Sequence, residues 1–350
     1  MKKRDFLNVV KNIFILIIIP ALLFGIISSE VLAKSKPIKL SYANFPPAPT
    51  FPCVQMERWK KVVEKRTNGK VKVETYPGGT LLGAKNMFDG VVTGMADIGC
   101  LCLPYQPGRF PLLSVVDLPI GFPNATVASL VLWDLYTKYK PKSFAKVKVL
   151  TMFTCPPANI MCKKPVRSLK DLKGLELRST GAGAKVLSLL GATPVAMPMS
   201  ETPEALQKGV VKGIFSSLEI LKDFNFASLC RYETVCNLQT ASFAVVMNLN
   251  KWKSLPKDVQ KVINDLRREQ ALWTGKYVDK HVNESIAWSK KKYNIEVIHF
   301  SNADVAKMHK LLKPLTYKYL KDAKDKGVPG QAALNDLYKL KAKYLKKYAK

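Results

Sequence analysis

Apolar and polar positions follow two periods along this chain, one typical of strands and one typical of helices. Residues 38–42 read as a first strand, and residues 71–76 alternate in polarity, which predicts another. The short apolar run at 96–100 fits a buried parallel strand. A helix is predicted at 53–67, because Asn68-Gly69 would cap its C-terminal end, and another at about 83–93, after a turn at Gly78 and Gly79. Because strands alternate with helices at this spacing, the segment is predicted to form an α/β sheet.

The same alternation restarts in the middle of the chain. Strands are predicted at 175–178 and 194–197, with a helix from Gly183 to Leu190 between them. Thr202 and Pro203 then take the N-cap and first-turn positions of a further helix. Two such runs predict two lobes.

The C-terminal third follows the helical period. From Pro256 to about Lys292 apolar positions recur at helical spacing with no internal proline, and a helix of that length reaches on the order of 50 Å. Such a helix is long enough to brace two lobes. Two more lysine-faced helices are predicted at about 303–324 and 331–350.

The first residues predict the compartment. Basic residues at positions 2–4 and 11 precede an apolar run from Ile13 to Ile27, and Val31-Leu32-Ala33 follows with small residues. This is the tripartite pattern of a secretory signal peptide (residues 1–33), and it predicts cleavage after Ala33 and a mature protein in the periplasm. A retained membrane anchor is the alternative, but the run is shorter than the roughly 20 residues that span a bilayer.

The charge of the chain is strongly positive, since Lys and Arg outnumber Asp and Glu by 56 to 26. Such a field attracts anions. The basic residues are dispersed, and the densest run, Lys339 to Lys350, alternates with apolar positions as an amphipathic helix does. We interpret the charge as a solvated surface that favours anionic ligands or an anionic membrane face and predict no nucleic-acid partner. A basic adhesin or nucleic-acid scavenger stays an alternative.

The cysteines and histidines are not spaced as the ligands of a metal site are. The Cys100-x-Cys102 pair lacks the spacing of a structural zinc site, and His281, His299 and His309 all come late in the chain. The seven cysteines of an exported chain allow up to three disulfides, but buried free thiols are the favoured interpretation. We predict no metal site and no cofactor.

Signatures of catalysis are missing from the sequence. It contains no G-x-S-x-G, H-E-x-x-H, P-loop or C-x-x-C motif, and no paired carboxylates suited to acid–base work. We therefore predict no catalytic residues. A secreted enzyme acting on a carboxylate, built on the same two-lobed frame, is kept as the alternative.

Among the basic residues, Arg178 is the one best placed to bind an anionic ligand. It ends the predicted strand at 175–178 and precedes Ser179-Thr180-Gly181, a small-residue turn into the next helix. Its guanidinium and the free N–H groups of that helix can therefore face one crevice. A guanidinium binds a carboxylate through two parallel hydrogen bonds. From position alone, a surface arginine in a weak ion pair fits equally well.

Several short motifs occur in an order and spacing that resemble a known family. They are Asn68 to Val73, Tyr76 to Gly83, Gly94 to Ile98, Asp117 to Ile120, Ser168 to Arg178, Gly191 to Val195, Glu204 to Gly213 and Asn248 to Pro256. Together they resemble the solute-binding subunit of tripartite ATP-independent periplasmic (TRAP) transporters, of the dicarboxylate- and sialic-acid-binding type. The resemblance covers nearly the whole mature chain.

The resemblance implies a fold and a role. The fold is the two-lobed α/β fold of periplasmic binding proteins (type II-like), and the long helix braces both lobes. We expect 34–155 and 245–282 in lobe I, and 156–244 and 283–350 in lobe II. The family implies that Arg178 grips the carboxylate of a small organic acid and that integral membrane TRAP permease subunits receive this ligand. We expect a monomer.

Departures from the family bear on the ligand. Residues 154–159 place small or apolar groups where several relatives offer a second arginine, and Lys212 to Ser216 replaces a more polar segment. The lip after Asp97 reads Cys100 to Tyr105. These differences predict a less polar pocket than a sialic acid or a dicarboxylate needs. They favour a monocarboxylate with an apolar or aromatic body.

The predicted substrate-binding set surrounds Arg178 with apolar walls. Residues of the wall type are more often buried in a core than in contact with a ligand. The walls are assigned to Phe215, Met199, Phe243 and Tyr105, and Asn44, Cys102 and Ser216 complete the set.

Overall fold

The computed structural model describes residues 36–348. The predicted signal peptide, residues 1–33, lies outside the described residues, so its removal stays a prediction. Among the residues described, no helix has both the length and the apolar character needed to cross a membrane.

Strands of the described chain form two sheets. They are β1 (Ile38–Asn44), β2 (Val71–Tyr76), β3 (Ile98–Cys102), β4 (Val147–Thr154), β5 (Asn159–Cys162), β6 (Glu176–Ser179), β7 (Thr193–Ala196), β8 (Gly213–Ser216), β9 (Tyr232–Val235), β10 (Ser242–Asn248) and β11 (Glu296–His299). The five-stranded sheet has the order β2-β1-β3-β10-β4, and the six-stranded sheet has the order β11-β9-β5-β8-β6-β7. Both sheets are mixed: two of the four strand pairs in the five-stranded sheet and three of the five in the six-stranded sheet are parallel. The strand β10 runs antiparallel to β3 and β4, and β5 runs antiparallel to β8 and β9.

Helices cover the faces of both sheets. They are α1 (Phe51–Arg66), α2 (Met87–Thr93), α3 (Ala125–Tyr139), α4 (Gly181–Leu189), α5 (Thr202–Gln207), α6 (Ile220–Asp223), α7 (Leu249–Ser254), α8 (Lys257–Tyr293), α9 (Asn302–Leu312), α10 (Pro314–Asp325) and α11 (Gly330–Tyr348). The predicted α/β class is confirmed. The single helix expected at about 303–324 is two helices, because Pro314 has no backbone N–H and starts a new one.

Each sheet has its own hydrophobic core. The core of the five-stranded sheet includes Leu40, Trp59, Leu130 and Val245. The six-stranded sheet has one core on each face, because successive residues of a strand point to opposite sides. In β8, for example, Ile214 belongs to one of these cores and Phe215 to the other. The two sheets are therefore the centres of two lobes.

The long helix α8 braces both lobes, as predicted. It has 37 residues and so spans about 55 Å. Its first half packs Val259, Ile263 and Leu266 into the core of the five-stranded sheet. Farther along, Val282 and Ile286 pack against a core of the six-stranded sheet.

The last two helices change the expected division of the chain. Tyr319 of α10 and Leu334, Leu337 and Tyr344 of α11 are buried in the core of the five-stranded sheet. The assignment of all of 283–350 to lobe II is therefore wrong for these helices, because their apolar faces pack against lobe I. The other predicted boundaries stay a prediction.

We predict that Gly275→Ala destabilises the protein. A Cβ at this position of α8 would lie 2.6 Å from the Cα of Thr126, so α3 and α8 would have to separate. Overpacking of this kind costs about 1–3 kcal/mol of the free energy of unfolding, more than the roughly 1 kcal/mol that alanine contributes as a better helix former. Denaturant unfolding measures the difference.

Asn283→Ala is the matched control, because Asn283 is exposed on the same helix. That change should be neutral or slightly stabilising. A Gly275→Ala protein as stable as wild type would show that the two helices are not in close backbone contact.

Candidate functional site

A cleft between the two sheets collects most of the predicted site residues. About 490 Å³ of space not occupied by protein atoms lies in and at the mouth of this cleft, part of it open to solvent. The five-stranded side contributes Phe45, Pro46, Thr50, Phe51, Pro52, Cys102, Tyr105, Ala241 and Phe243, and the other side contributes Arg178, Thr180, Met199, Ser216, Glu219, Ile220, Asp223 and Phe224, with Cys155 between β4 and β5. Six predicted residues thus meet here, namely Arg178, Cys102, Tyr105, Met199, Ser216 and Phe243.

Arg178 is held rigidly at the carboxyl end of β6. Its Nε and Nη2 donate to the carbonyl oxygen of Met197 at 3.1 and 2.7 Å, and Nη2 also donates to the hydroxyl oxygen of Tyr105 at 3.1 Å. These bonds orient the plane of the guanidinium. Within residues 36–348, Nη1 donates to no protein group, and Arg178 is one of the residues that line the cleft.

The charge of Arg178 has no counter-ion in the described part of the chain. The residue is 1% exposed, and no carboxylate oxygen among residues 36–348 lies within 4.0 Å of its guanidinium. A buried and unpaired charge costs several kcal/mol of solvation free energy. An anion in the cleft would offset that cost.

Tyr105 connects the two sides of the cleft. It follows β3 of the five-stranded sheet, and its hydroxyl oxygen accepts from Nη2 of Arg178 at 3.1 Å and from the backbone N–H of Met199 at 3.0 Å. Burial raises the pKa of Tyr105 to about 12, so the phenol is neutral. Its own proton stays available to a further acceptor.

The five-stranded side of the cleft has an aromatic wall. Phe243 stacks on Phe153 with ring centroids 5.2 Å apart and on Phe45 at 6.4 Å, and it meets Phe51 edge to face at 5.9 Å. Tyr105 extends the cluster through an edge contact with Phe45 at 5.5 Å. Offset and edge-to-face pairs hold such rings in fixed positions. The wall therefore presents a rigid, largely apolar surface.

Two thiols extend the apolar lining. Burial raises the pKa of both Cys102 and Cys155 well above the ordinary value, so both are neutral. A neutral thiol in such surroundings behaves as a small apolar group. All seven cysteines of the sequence lie in the described part of the chain, and none of them is in a disulfide.

A polar cluster that sequence reasoning missed lines the same cleft, on the side of the six-stranded sheet. Asp223 accepts a hydrogen bond from Nε2 of His281 at 2.6 Å and from the backbone N–H of Phe51 at 3.3 Å. Glu219 is 1% exposed, and burial raises its pKa to about 7. The one sequence feature that could have pointed to this cluster is Glu219, the single charged residue in the otherwise uncharged segment 213–221.

Asn44 does not line the cleft. It is fully buried at the end of β1, where its Nδ2 donates to the carbonyl oxygen of Pro52 at 2.7 Å and its Oδ1 accepts from the N–H of Phe45 at 3.1 Å. The side chain therefore fixes the proline-rich loop, and its assignment to substrate is wrong in this geometry.

Phe215 does not line the cleft either. It is 2% exposed and belongs to the core on the α4 face of the six-stranded sheet, where its ring approaches Gly183. The period of the strand explains the difference, because Phe215 and Ile214 point to opposite faces and only Ser216, at the end of β8, reaches the cleft. Residues 36–348 contain no group of three or more His, Cys, Asp or Glu side chains placed to hold a metal ion.

Comparison with known proteins gives consistent matches. A model of bacterial extracellular solute-binding proteins, family 7 (DctP), matches residues 46–322. A TRAP periplasmic solute-binding protein of Desulfovibrio salexigens is 62% identical, with a TM-score of 0.81 over 89% of this chain and 97% of that one. It is an open complex with the C-terminus of a symmetry mate in its ligand-binding site.

Two further solved structures are similar over the same region. A TRAP solute-binding protein of Rhodoferax ferrireducens, in complex with copurified benzoate, is 25% identical with a TM-score of 0.84 over 88% of this chain and 99% of that one. A marine metagenome TRAP protein specific for aromatic acid ligands, in complex with 3-hydroxybenzoate, is 30% identical with a TM-score of 0.84 over 89% and 99%.

Two lobes that face each other across a buried arginine define a ligand-binding protein of the two-lobed periplasmic type. The chain belongs to the bacterial extracellular solute-binding proteins of family 7 and is a TRAP solute-binding protein. Its family and the similar structures are transport proteins, so the alternative of a secreted enzyme is not favoured.

We predict that the His281–Asp223 pair makes stability depend on pH. The hydrogen bond to Asp223 raises the pKa of His281 above its ordinary value of 6.5, against the opposing effect of burial, and Glu219 and Glu284 also favour the charged ring. The stabilisation by this charge is complete below about pH 6.5 and is lost as the pH rises through the folded-state pKa. His281→Gln keeps an N–H donor without the charge.

The free energy of unfolding of His281→Gln should therefore fall further below wild type at about pH 6 than at about pH 9, as measured by denaturant titration. His309→Gln is the control for the loss of an exposed imidazole outside this cluster. An equal deficit for His281→Gln at both pH values would contradict a charged pair.

Proposed function

We propose that this protein captures a monocarboxylate with an aromatic or apolar body and delivers it unaltered to the membrane permease of a TRAP transporter. The cleft closes around the ligand, Arg178 binds the carboxylate, and the aromatic wall packs against the body. Closure selects ligands that bind the shut state better than the open one.

The observation that carries this proposal is the buried guanidinium of Arg178 without an acidic partner among the described residues. A carboxylate binds such a group through two parallel hydrogen bonds. Nη1 donates to no protein group in residues 36–348, so a ligand carboxylate can bind it directly. The second parallel bond, from Nη2, forms when the carboxylate replaces the hydroxyl oxygen of Tyr105 as the acceptor.

The other charges of the cleft favour a single carboxylate. Asp223 and His281 form a pair with each other at 2.6 Å. Glu219, with its pKa raised to about 7 by burial, tends towards its neutral form near neutral pH. One unpaired positive charge therefore remains, and a second carboxylate on the ligand would meet acidic oxygens instead of a cation.

The ligands of similar proteins support the same chemistry. The Rhodoferax protein was purified with benzoate, and the metagenome protein holds 3-hydroxybenzoate. The Desulfovibrio protein accepts a polypeptide C-terminus, which is also a carboxylate. Two of these three ligands combine one carboxylate with an aromatic ring, as the arginine and the phenylalanine wall of this cleft require.

The place of action follows from the family. Removal of residues 1–33 would release the mature chain into the periplasm, where it would act as a monomer and dock on integral membrane permease subunits. Mass spectrometry of a ligand recovered after incubation tests for catalysis, and an unchanged mass is expected.

We predict a fixed order of affinity among Arg178 variants. A thermal-shift screen of organic acids first identifies a ligand, since a compound at 100 times its Kd stabilises by about 2.7 kcal/mol. Calorimetry with that ligand should then rank wild type above Arg178→Lys, and Arg178→Lys above Arg178→Ala. Alanine should cost about 2–5 kcal/mol of binding free energy, because the carboxylate is left desolvated and unpaired. Lysine keeps the charge but not the fork.

Arg167→Lys and Arg167→Ala are the controls, because Arg167 forms an exposed pair with Glu296 at 2.6 Å. Neither should change the affinity. Equal affinity in all the Arg178 proteins would refute the role of the guanidinium.

A further inference from the structure

Glu219 lines the cleft and has one carboxyl oxygen without a hydrogen-bond partner in the described chain. The residue lines the cavity, immediately before α6, and is 1% exposed. Its Oε1 accepts a hydrogen bond from the hydroxyl of Ser217 at 2.6 Å. Its Oε2 is fully buried and has no hydrogen-bond partner within the described chain.

The neighbouring polar groups do not satisfy this oxygen. Two donors of the cluster serve Asp223 instead, since Nε2 of His281 donates to it at 2.6 Å and the N–H of Phe51 donates to the same carboxyl at 3.3 Å. Buried polar atoms in native proteins nearly always have a partner, and an atom that lacks one costs about as much as a lost hydrogen bond. The missing partner can therefore come from the cleft itself.

The chemistry of the site defines that partner. A carboxyl group close to its pKa exchanges between a form that only accepts and a form that also donates. A hydroxyl group suits both forms, because it both donates and accepts. A second carboxylate would be repelled by Asp223, and a ligand without any polar group there would leave Oε2 unsatisfied.

The fold places Glu219 where a ligand held by Arg178 can reach it. The strands β6 and β8 are parallel neighbours, and Arg178 is in register with Ile214. The chain therefore leaves both strands at the same edge of the sheet, and Arg178 and Glu219 line one cavity. An aromatic body between them would contact the phenylalanine wall.

We infer that Glu219 is a specificity-determining residue that hydrogen-bonds a hydroxyl group on the body of a monocarboxylate held by Arg178. The inference rests on the proposed function and narrows it from monocarboxylates to hydroxy acids. A site built to bind a hydroxyl rejects the analogue without it more strongly than an apolar pocket rejects a missing methylene.

Calorimetry with benzoate, 3-hydroxybenzoate and 4-hydroxybenzoate tests the inference. In wild type, one of the two hydroxylated acids should bind about tenfold or more tightly than benzoate, the ratio expected from one additional hydrogen bond. In Glu219→Leu that ratio should fall to about one, because the carboxyl is gone while the arginine and the wall remain. Glu219→Gln, which keeps a polar group, should retain part of the preference.

Glu233→Leu is the matched control. Glu233 is also a buried carboxyl with a free Oε2 and a pKa raised to about 7 by burial, but it lines a different hollow that shares no lining residue with the cleft. Its replacement should leave the hydroxybenzoate preference unchanged. Unliganded melting temperatures identify any variant that fails to fold. If Glu219→Leu fails to fold, Glu219→Gln takes its place, and a preference in Glu219→Gln as large as that of wild type would then contradict the inference.

The outcomes separate this inference from the proposed function. If wild type binds all three acids with equal affinity, or if the preference survives in Glu219→Leu, Glu219 does not set specificity although the monocarboxylate role stands. If none of the three binds and no other monocarboxylate does, both are overturned.

Discussion

A buried guanidinium that lacks an acidic partner in the described chain is the constraint on which this site depends. Arg178 is 1% exposed, and the groups that hold it, the carbonyl of Met197 and the hydroxyl of Tyr105, are neutral. Neutral acceptors orient the group but do not compensate its charge. The unliganded protein is therefore less stable than it would be with a paired arginine, and an anionic ligand restores that stability. Such a trade-off between stability and function is common at functional sites.

The architecture places this charge where the rest of the cleft can act on the ligand. Arg178 lies on the six-stranded side, the phenylalanine wall lies on the five-stranded side, and Tyr105 joins the two through its hydroxyl. The helix α8 runs along both lobes and carries His281 to Asp223, beside Glu219. Charge, apolar surface and a second polar group therefore meet in one cavity, and each is fixed by a different element.

Local patterns predicted much of this fold. The strand at 71–76 and the helix α8 have clear periods of apolar residues in the sequence. Arg178 could be located because it lies near the end of a predicted strand, just before a turn of small residues. The helix α3 could not be found in this way, because ten of its fifteen residues are buried and it has no clear polar face. Asn44 and Phe215 were misplaced because the direction of a side chain near a strand end depends on register, which sequence alone does not fix. Glu219 and Asp223 were missed because only the fold brings them to Arg178.

A crystal structure of the protein with a bound monocarboxylate tests the central claim most directly. The account predicts both carboxylate oxygens at about 2.7–2.9 Å from nitrogens of Arg178, including Nη1, with the body of the ligand against Phe45 and Phe243. A ligand whose carboxylate pairs with another cation, while Arg178 bonds only to protein groups, would contradict it.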